Sequence, residues 1–345
     1  MVTDLLGRLS NAHGVSGSEG SIFAIIRKEL SGFADEITED PLGNLIAVKK
    51  GNDFSVMLAA HMDEIGLMVK YIDEKGFIRF ITLGGWLAQT LYNQRVMLHG
   101  TKGPVTGVVG GKPPHLMDEA ERKKSVRFED MFIDVGSSTQ AGVHELGIEI
   151  GTPITIDREF AVLGFGRVTG KAFDNRVGVA ILIKTMQQLD SPFTVYAVFT
   201  VQEEVGLKGA RTSAFALDPS VAIATDVTTP GDFPGIEKKD SSLEIGKGPA
   251  ITIADASGRG LIAHHAVVRW LRDAAAAENI PVQLQVGSGG TTDASAIHLT
   301  RRGIPSTTIE IATRYLHSPV ELVDTRDIED GIRLLSRALK TKPEL

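Results

Sequence analysis

The residues best suited to chemistry in this chain are histidines and carboxylates that follow apolar runs. His61-Met62-Asp63-Glu64-Ile65-Gly66 stands directly behind Val56-Met57-Leu58-Ala59-Ala60. Open α/β sheets build ligand sites just past their strand ends, so this run puts an imidazole and a carboxylate where such a site would lie. Asp174, the pair Glu203-Glu204, Asp226 and His317 follow four other segment boundaries. Nitrogen and oxygen donors of this kind hold zinc or cobalt and leave a carboxylate over for proton transfer.

Each candidate also has an ordinary structural explanation. His61 and Asp63 are two apart, so extended backbone points both to one face, and a neighbouring carboxylate can fix the tautomer of a ligating imidazole. A surface turn with incidental charge would carry the same residues. Glu203-Glu204 ends the most apolar run, where adjacent negative charges repel unless something positive is near. The two side chains diverge in extended backbone, so one can ligate a metal while the other reaches a bound water. Either order fits, and so does a plain solvent-exposed strand end. Asp174 stands where it would cap a helix. Asp226 precedes Thr228-Thr229-Pro230-Gly231 and suits a turn, and His317 is a lone loop histidine. No H-E-x-x-H motif is present, so a metal site must be assembled from distant segments. The argument for one site is joint: the carboxyl edge of an alternating α/β sheet gathers strand ends together.

The elements that would do this gathering are legible in the hydrophobic pattern. Leu5, Leu6 and Leu9 predict a first helix. Ser16 with Glu19 resembles a capping box for a second helix over 17–30. Strands are expected over 45–48 and from about 54 into His61. From about 65 to 162 short β-type runs alternate with glycines, which predicts a small β-barrel or sandwich inserted into the α/β unit. Within it the charged segment from Lys112 to Asp130, with Pro113-Pro114, reads as an extended or mobile loop. Helical spacing resumes over 175–189. Thr194 to Val201 is too continuously apolar for a half-exposed strand and reads as a central one covered on both faces. A short strand then leads to Asp226, with helices over 257–278 and 292–301 and a strand over 305–311 before His317. A helix over 324–339 ends the pattern.

Composition narrows the class. A chain of 345 residues, 42% hydrophobic and 23% charged, falls in the globular range. Its net charge of -7 gives no broad basic surface for nucleic acid. The absence of cysteine removes disulfides and thiolate sites, leaving imidazole and carboxylate as the strong ligands. No run is apolar enough to span a bilayer and the first residues do not read as a signal peptide, so a cytoplasmic protein without membrane partners is expected.

Six segments together resemble a known family. They are His61 to Gly66, Gly170-Lys171-Ala172-Phe173-Asp174-Asn175-Arg176, Val201-Gln202-Glu203-Glu204-Val205-Gly206, Ala224-Thr225-Asp226-Val227, Gly289-Gly290-Thr291-Thr292-Asp293-Ala294 and Arg314-Tyr315-Leu316-His317-Ser318-Pro319. In order and extent they are similar to the TET-type aminopeptidases, the forty-second family of metallopeptidases, which includes glutamyl and deblocking enzymes. The resemblance implies a mixed-sheet α/β/α catalytic domain, residues 1–66 and 163–345, interrupted by a β-barrel dimerisation domain at 67–162. It also implies two divalent ions per subunit, zinc or cobalt. His61, Asp174 and Asp226 would hold one and Asp174, Glu204 and His317 the other, with Asp174 bridging. Glu203 would be the general base, and Asp63 would orient His61. Release of the first residue of a peptide is the implied activity, and a tetrahedral dodecamer built from dimers the implied assembly.

Rival readings are a deacylase acting on small N-acyl compounds and a non-catalytic peptide-binding oligomer. Glycoside hydrolysis needs two carboxyl groups flanking a sugar bond about 5–9.5 Å apart, which adjacent glutamates do not provide. His115, beside Pro113-Pro114, is a further candidate substrate contact from the inserted domain. Gly287 to Asp293 could line the substrate pocket. The preferred first residue is set by pocket residues that the motifs do not include.

Overall fold

The computed structural model describes residues 2–345. Four parallel strands form its centre, Phe193–Thr200, Asn52–His61, Val221–Thr228 and Ser306–Arg314, side by side in that order. Burial on both faces explains their continuous apolar composition. Val56, Leu58 and Ala60 join the core on one side of the sheet, while Met57 and Ala59 join a separate cluster on the other. Antiparallel strands extend both edges. Leu45–Lys49 and Glu36–Glu39 lie on one side, Glu321–Asp324, Arg167–Gly170 and Ala161–Val162 on the other. Ala250–Ala254 and Gln283–Val286 branch from Ser306–Arg314, making eleven strands among the described residues.

Helices cover both faces, which gives the expected mixed-sheet α/β/α architecture. Phe173–Gln187 is buried along most of its length and packs with Val2–Asn11, Gly20–Leu30, His265–Ala277 and Thr325–Ala338 on one face. Lys208–Leu217 and Asp293–Ile297 cover the other. The second helix begins at Gly20 rather than at 17, and the expected capping box is absent. Ser16 Oγ donates instead to Asp63 Oδ2 at 2.6 Å, and Glu19 Oε1 accepts from the backbone N–H groups of Gly17 and Gln202. Tertiary partners have taken both side chains away from local capping.

Among the described residues six strands close into an antiparallel barrel: Gly66–Ile72, Ile78–Leu83, Phe132–Asp134, Gly103–Gly110, Arg95–Gly100 and Pro153–Ile156. Closure removes exposed strand edges, and the barrel has its own core, including Leu67, Val69, Val96, Leu98 and Ile133. The segment expected to be extended contains short 3₁₀ turns at Pro114–Leu116 and Phe128–Asp130 and a helical turn at Glu119–Arg122. Among the described residues no helix is long and apolar enough to cross a membrane.

The barrel meets the α/β unit through tight contacts. Thr155 Oγ1 lies 2.7 Å from His13 Nδ1 and 2.9 Å from His99 Nε2. Gly66 opens the first barrel strand with no room for a side chain: a Cβ there would run into Val15 Cγ1 and lie 2.8 Å from the Ile154 carbonyl oxygen. Gly66→Ala is therefore expected to lower stability by about 1–3 kcal/mol through overpacking, measured as a shift of the denaturant midpoint at constant slope. An unchanged midpoint would mean that the junction yields freely.

Candidate metal centre and active site

The parallel strands deliver their ends to one place. His61 is the last residue of its strand and pairs in register with Thr200, beyond which Glu203 and Glu204 follow. His317 lies past Arg314, the end of the fourth strand. Asp226 sits inside its strand, not in a turn after it, and pairs with Glu310 of the neighbouring strand. Asp174 does not cap its helix. The cap position is Ala172, in left-handed backbone, and Asp174 and Asn175 have non-helical dihedrals that turn the Asp174 carboxylate toward the strand ends.

All the candidate donors converge. His61 Nε2 lies 3.0 Å from Asp174 Oδ1 and 3.9 Å from both Glu203 Oε2 and Asp226 Oδ1. His317 Nε2 lies 3.3 Å from Asp174 Oδ2 and 3.5 Å from Glu204 Oε2. The two oxygens of Asp174 thus face two different histidines. Among the described residues, three donor sets have ligand atoms within 4.8 Å of one another: His61, Asp174 and Asp226; Asp174, Glu204 and His317; and His61, Glu203 and Glu204.

Burial pushes the carboxyls of Glu203, Glu204 and Asp226 well above the usual range, and the nearby Asp174 charge adds repulsion to each. Burial acts on Asp174 in the same sense, but hydrogen bonds and charge from His317 and His61 outweigh it and hold that carboxyl low. Burial opposes protonation of His61, yet Glu203, Asp174 and Asp63 together raise it well above its ordinary value. Glu204 Oε1 is buried with no hydrogen-bond partner. Crowded carboxylates with unused lone pairs, interleaved with imidazole nitrogen, form a donor set that fits a hard or borderline divalent cation.

Several buried groups hold this cluster in shape. Asp63 Oδ1 accepts from the Glu203 backbone N–H at 3.0 Å and Oδ2 from that of Glu204 at 3.2 Å, so one carboxylate fixes the loop carrying both glutamates. His61 Nδ1 pairs at 3.1 Å with the Asp63 carbonyl, closer than the 3.5 Å to its carboxylate. Glu321, buried at the start of its strand, accepts from the backbone N–H groups of Asp174 and His317, each at 3.0 Å. Glu64, buried near His61, receives Lys171 Nζ at 2.7 and 2.9 Å and lies 3.5 Å from Arg176, joining the segment of His61 to that of Asp174. From the barrel side Gly84 and Gly85 press against the donors. A Cβ on Gly84 would lie 2.9 Å from Glu204 Oε2, and one on Gly85 2.9 Å from His317 Nδ1.

The positioning roles of Glu64 and Glu321 escape the sequence reading. Glu64 stands within the first motif with no chemistry of its own to mark it, and Glu321 carries no local pattern at all. The Gly84-Gly85 pair falls among the glycines that separate the β-type runs, and nothing local marks what its backbone approaches. Asp293 is buried behind the cluster, where burial raises its carboxyl to about 6, and accepts from Thr200 Oγ1 at 2.5 Å.

The cluster lies in a cavity of about 830 Å³, within the size range of small-molecule sites. Gly287 to Thr292 line it as expected, whereas Asp293 stands behind them. His115 is exposed and outside the lining.

Residues 43–334 match the family model of M42 glutamyl aminopeptidase. The chain is 36% identical to the lysyl aminopeptidase of Pyrococcus furiosus, over 98% of this chain and 96% of that one. Among solved structures it is similar to the aminopeptidase APDkam598 of the archaeon Desulfurococcus kamchatkensis, with a TM-score of 0.95 and 42% identity over 99% and 95% of the two chains. It is also similar to the TET1 peptidase of Pyrococcus horikoshii, which can assemble into a tetrahedron or a large octahedral shell. That match has a TM-score of 0.90 and 31% identity over 99% of this chain and all of the other.

The Glu64–Lys171 pair tests how much of this geometry depends on buried charge. Lys171→Met keeps the volume but strands a buried carboxylate, with an expected loss of about 3–5 kcal/mol of folding stability in chemical denaturation. A loss below about 1 kcal/mol would show that Arg176 and the Gly14 N–H suffice to hold Glu64.

Proposed function

The chain belongs to the M42 family of metal-dependent aminopeptidases, and on that premise we propose that its buried cluster holds two divalent ions, zinc or cobalt, and that Glu203 is the general base. The observation that carries this reading is the divergence of the two Asp174 oxygens toward His61 and His317. His61, Asp174 and Asp226 would hold one ion and Asp174, Glu204 and His317 the other, so that Asp174 bridges. When bound, the ions supply Lewis acidity toward the scissile carbonyl and lower the pKa of a water to about 7.

The protein's own groups then divide the work. Glu203 lies beside His61 but belongs to neither of these two ligand sets, so its carboxylate is left to take the proton of the attacking water. The same carboxylate returns that proton to the departing amine nitrogen as the peptide C–N bond breaks. Asp63 positions Glu203 and Glu204 through their backbone N–H groups, and with its carbonyl orients His61. The carboxylate-rich cavity favours the ammonium end of a peptide, consistent with removal of the first residue only.

We further propose that residues 1–66 and 163–345 form the catalytic unit and that the insertion at 67–162, which holds all of the barrel but its opening Gly66 and ends on Ala161–Val162 of the large sheet, is a dimerisation domain. The assembly would be a homo-oligomer, a dodecamer built from dimers, working in the cytoplasm. The similarity to TET1, whose particles are tetrahedral or octahedral, supports the assembly.

Chelated protein should be inactive on free and N-acetylated peptides alike, and zinc or cobalt should restore release of the first residue from the free peptides only. Restored activity on the acetylated set would assign a deacylase instead. In Glu203→Gln, metal content by mass spectrometry should stay near that of the parent while kcat falls at least about 100-fold, the scale of general-base loss. Near-normal turnover would remove Glu203 from the role.

A further inference from the structure

The sign of the cavity wall beyond the metal-ligand cluster bears on which peptides can enter. Among the described residues that line the cavity, none is Lys or Arg. Of the cations close in sequence to the lining residues, Lys208 donates to Gln202 Oε1 at 3.3 Å and Arg259 to the Ala256 carbonyl at 3.2 Å, and three more have acidic partners. Lys238 pairs with Glu244 at 3.0 Å, Lys239 with Glu237 at 2.6 Å, and Arg314 with Asp232 through two bonds of 3.0 and 2.8 Å. The wall presents acceptors instead. Gln285 lines the cavity, donates its Nε2 to Thr228 Oγ1 at 2.9 Å, and keeps its Oε1 buried without a hydrogen-bond partner. Asp240, Asp255 and Glu310 line the same space. In either protonation state none of these groups carries positive charge.

A carboxylate side chain entering this cavity loses its hydration and finds no cation to replace it. The charge of the proposed ions is already opposed by Asp174, Glu203, Glu204 and Asp226. An ammonium or guanidinium group meets acceptors there in place of cations, and a rotation of the Gln285 amide toward the cavity gives its Oε1 the donor that it lacks. We infer that this chain selects peptides whose first residue is basic and rejects those beginning with Asp or Glu, with Gln285 a specificity-determining residue. The inference rests on the aminopeptidase reading above.

The test compares isosteric first residues, so that size cancels and charge remains. The metal-loaded protein is assayed on p-nitroanilides of Lys, norleucine, Glu and Gln. Expected is a kcat/KM for Lys at least about tenfold above norleucine, and one for Glu at least about tenfold below Gln, both expressed mainly in KM. Gln285→Met should shrink the Lys-to-norleucine ratio several-fold. Because that ratio belongs to the active molecules alone, partial unfolding of the variant does not alter it. Norleucine equal to or better than Lys, Glu equal to or better than Gln, or a ratio unmoved in Gln285→Met would each overturn the inference. Silence on all four substrates would defeat the aminopeptidase reading and this inference with it.

Discussion

Everything around the centre of this protein answers to one electrostatic constraint, the confinement of several carboxylates in a buried pocket with two imidazoles between them. Like charges about 4 Å apart repel by roughly 4 kcal/mol at an effective dielectric of 20, so two or three such pairs rival the net stability of a whole domain. The upward push on Glu203, Glu204 and Asp226, and the partnerless Oε1 of Glu204, are the signs of that load. Bound metal would relieve it, and that coupling links the fold to the metal-dependent hydrolysis of its family.

Such a cluster keeps its geometry only if the backbone beneath it cannot relax. Asp63 fastens the Glu203-Glu204 loop and Glu321 fastens the backbones of Asp174 and His317. Glu64, Lys171 and Arg176 tie the end of one strand to the entry of the longest helix. These groups sit behind the donors and hold the backbone that carries them. Four parallel strands, buried on both faces, supply the stiff base on which they stand.

The barrel is not merely appended to this arrangement. Gly66 lets its first strand start against Val15, and Gly84 and Gly85 bring its backbone to within van der Waals distance of where Glu204 and His317 must lie. Any displacement of the barrel therefore bears on two of the proposed ligands. The opposite wall of the cavity, built by the loops after Val221–Thr228 and Gln283–Val286, has a lining rich in acceptors.

Much of this was legible in the linear chain, for a physical reason. A parallel strand buried on both faces must be continuously apolar, and the first polar residues after it must stand at the sheet edge. His61 and Glu203-Glu204 could therefore be placed at a common site before any coordinates. Short glycine-punctuated runs likewise announced a β-rich insertion, which the structure forms as a closed barrel. Local rules failed where distant partners outbid them. Ser16 and Glu19 left the capping box for Asp63 and for the Gln202 backbone, and Asp174 gave up the N-cap for two histidines. The positioning carboxylates Glu64 and Glu321, the glycines that abut the ligands and the absence of any cation from the cavity wall belong to the tertiary structure alone. Each is a relation between residues far apart in sequence, set by burial and charge at a distance of a few ångströms, and no local pattern encodes it.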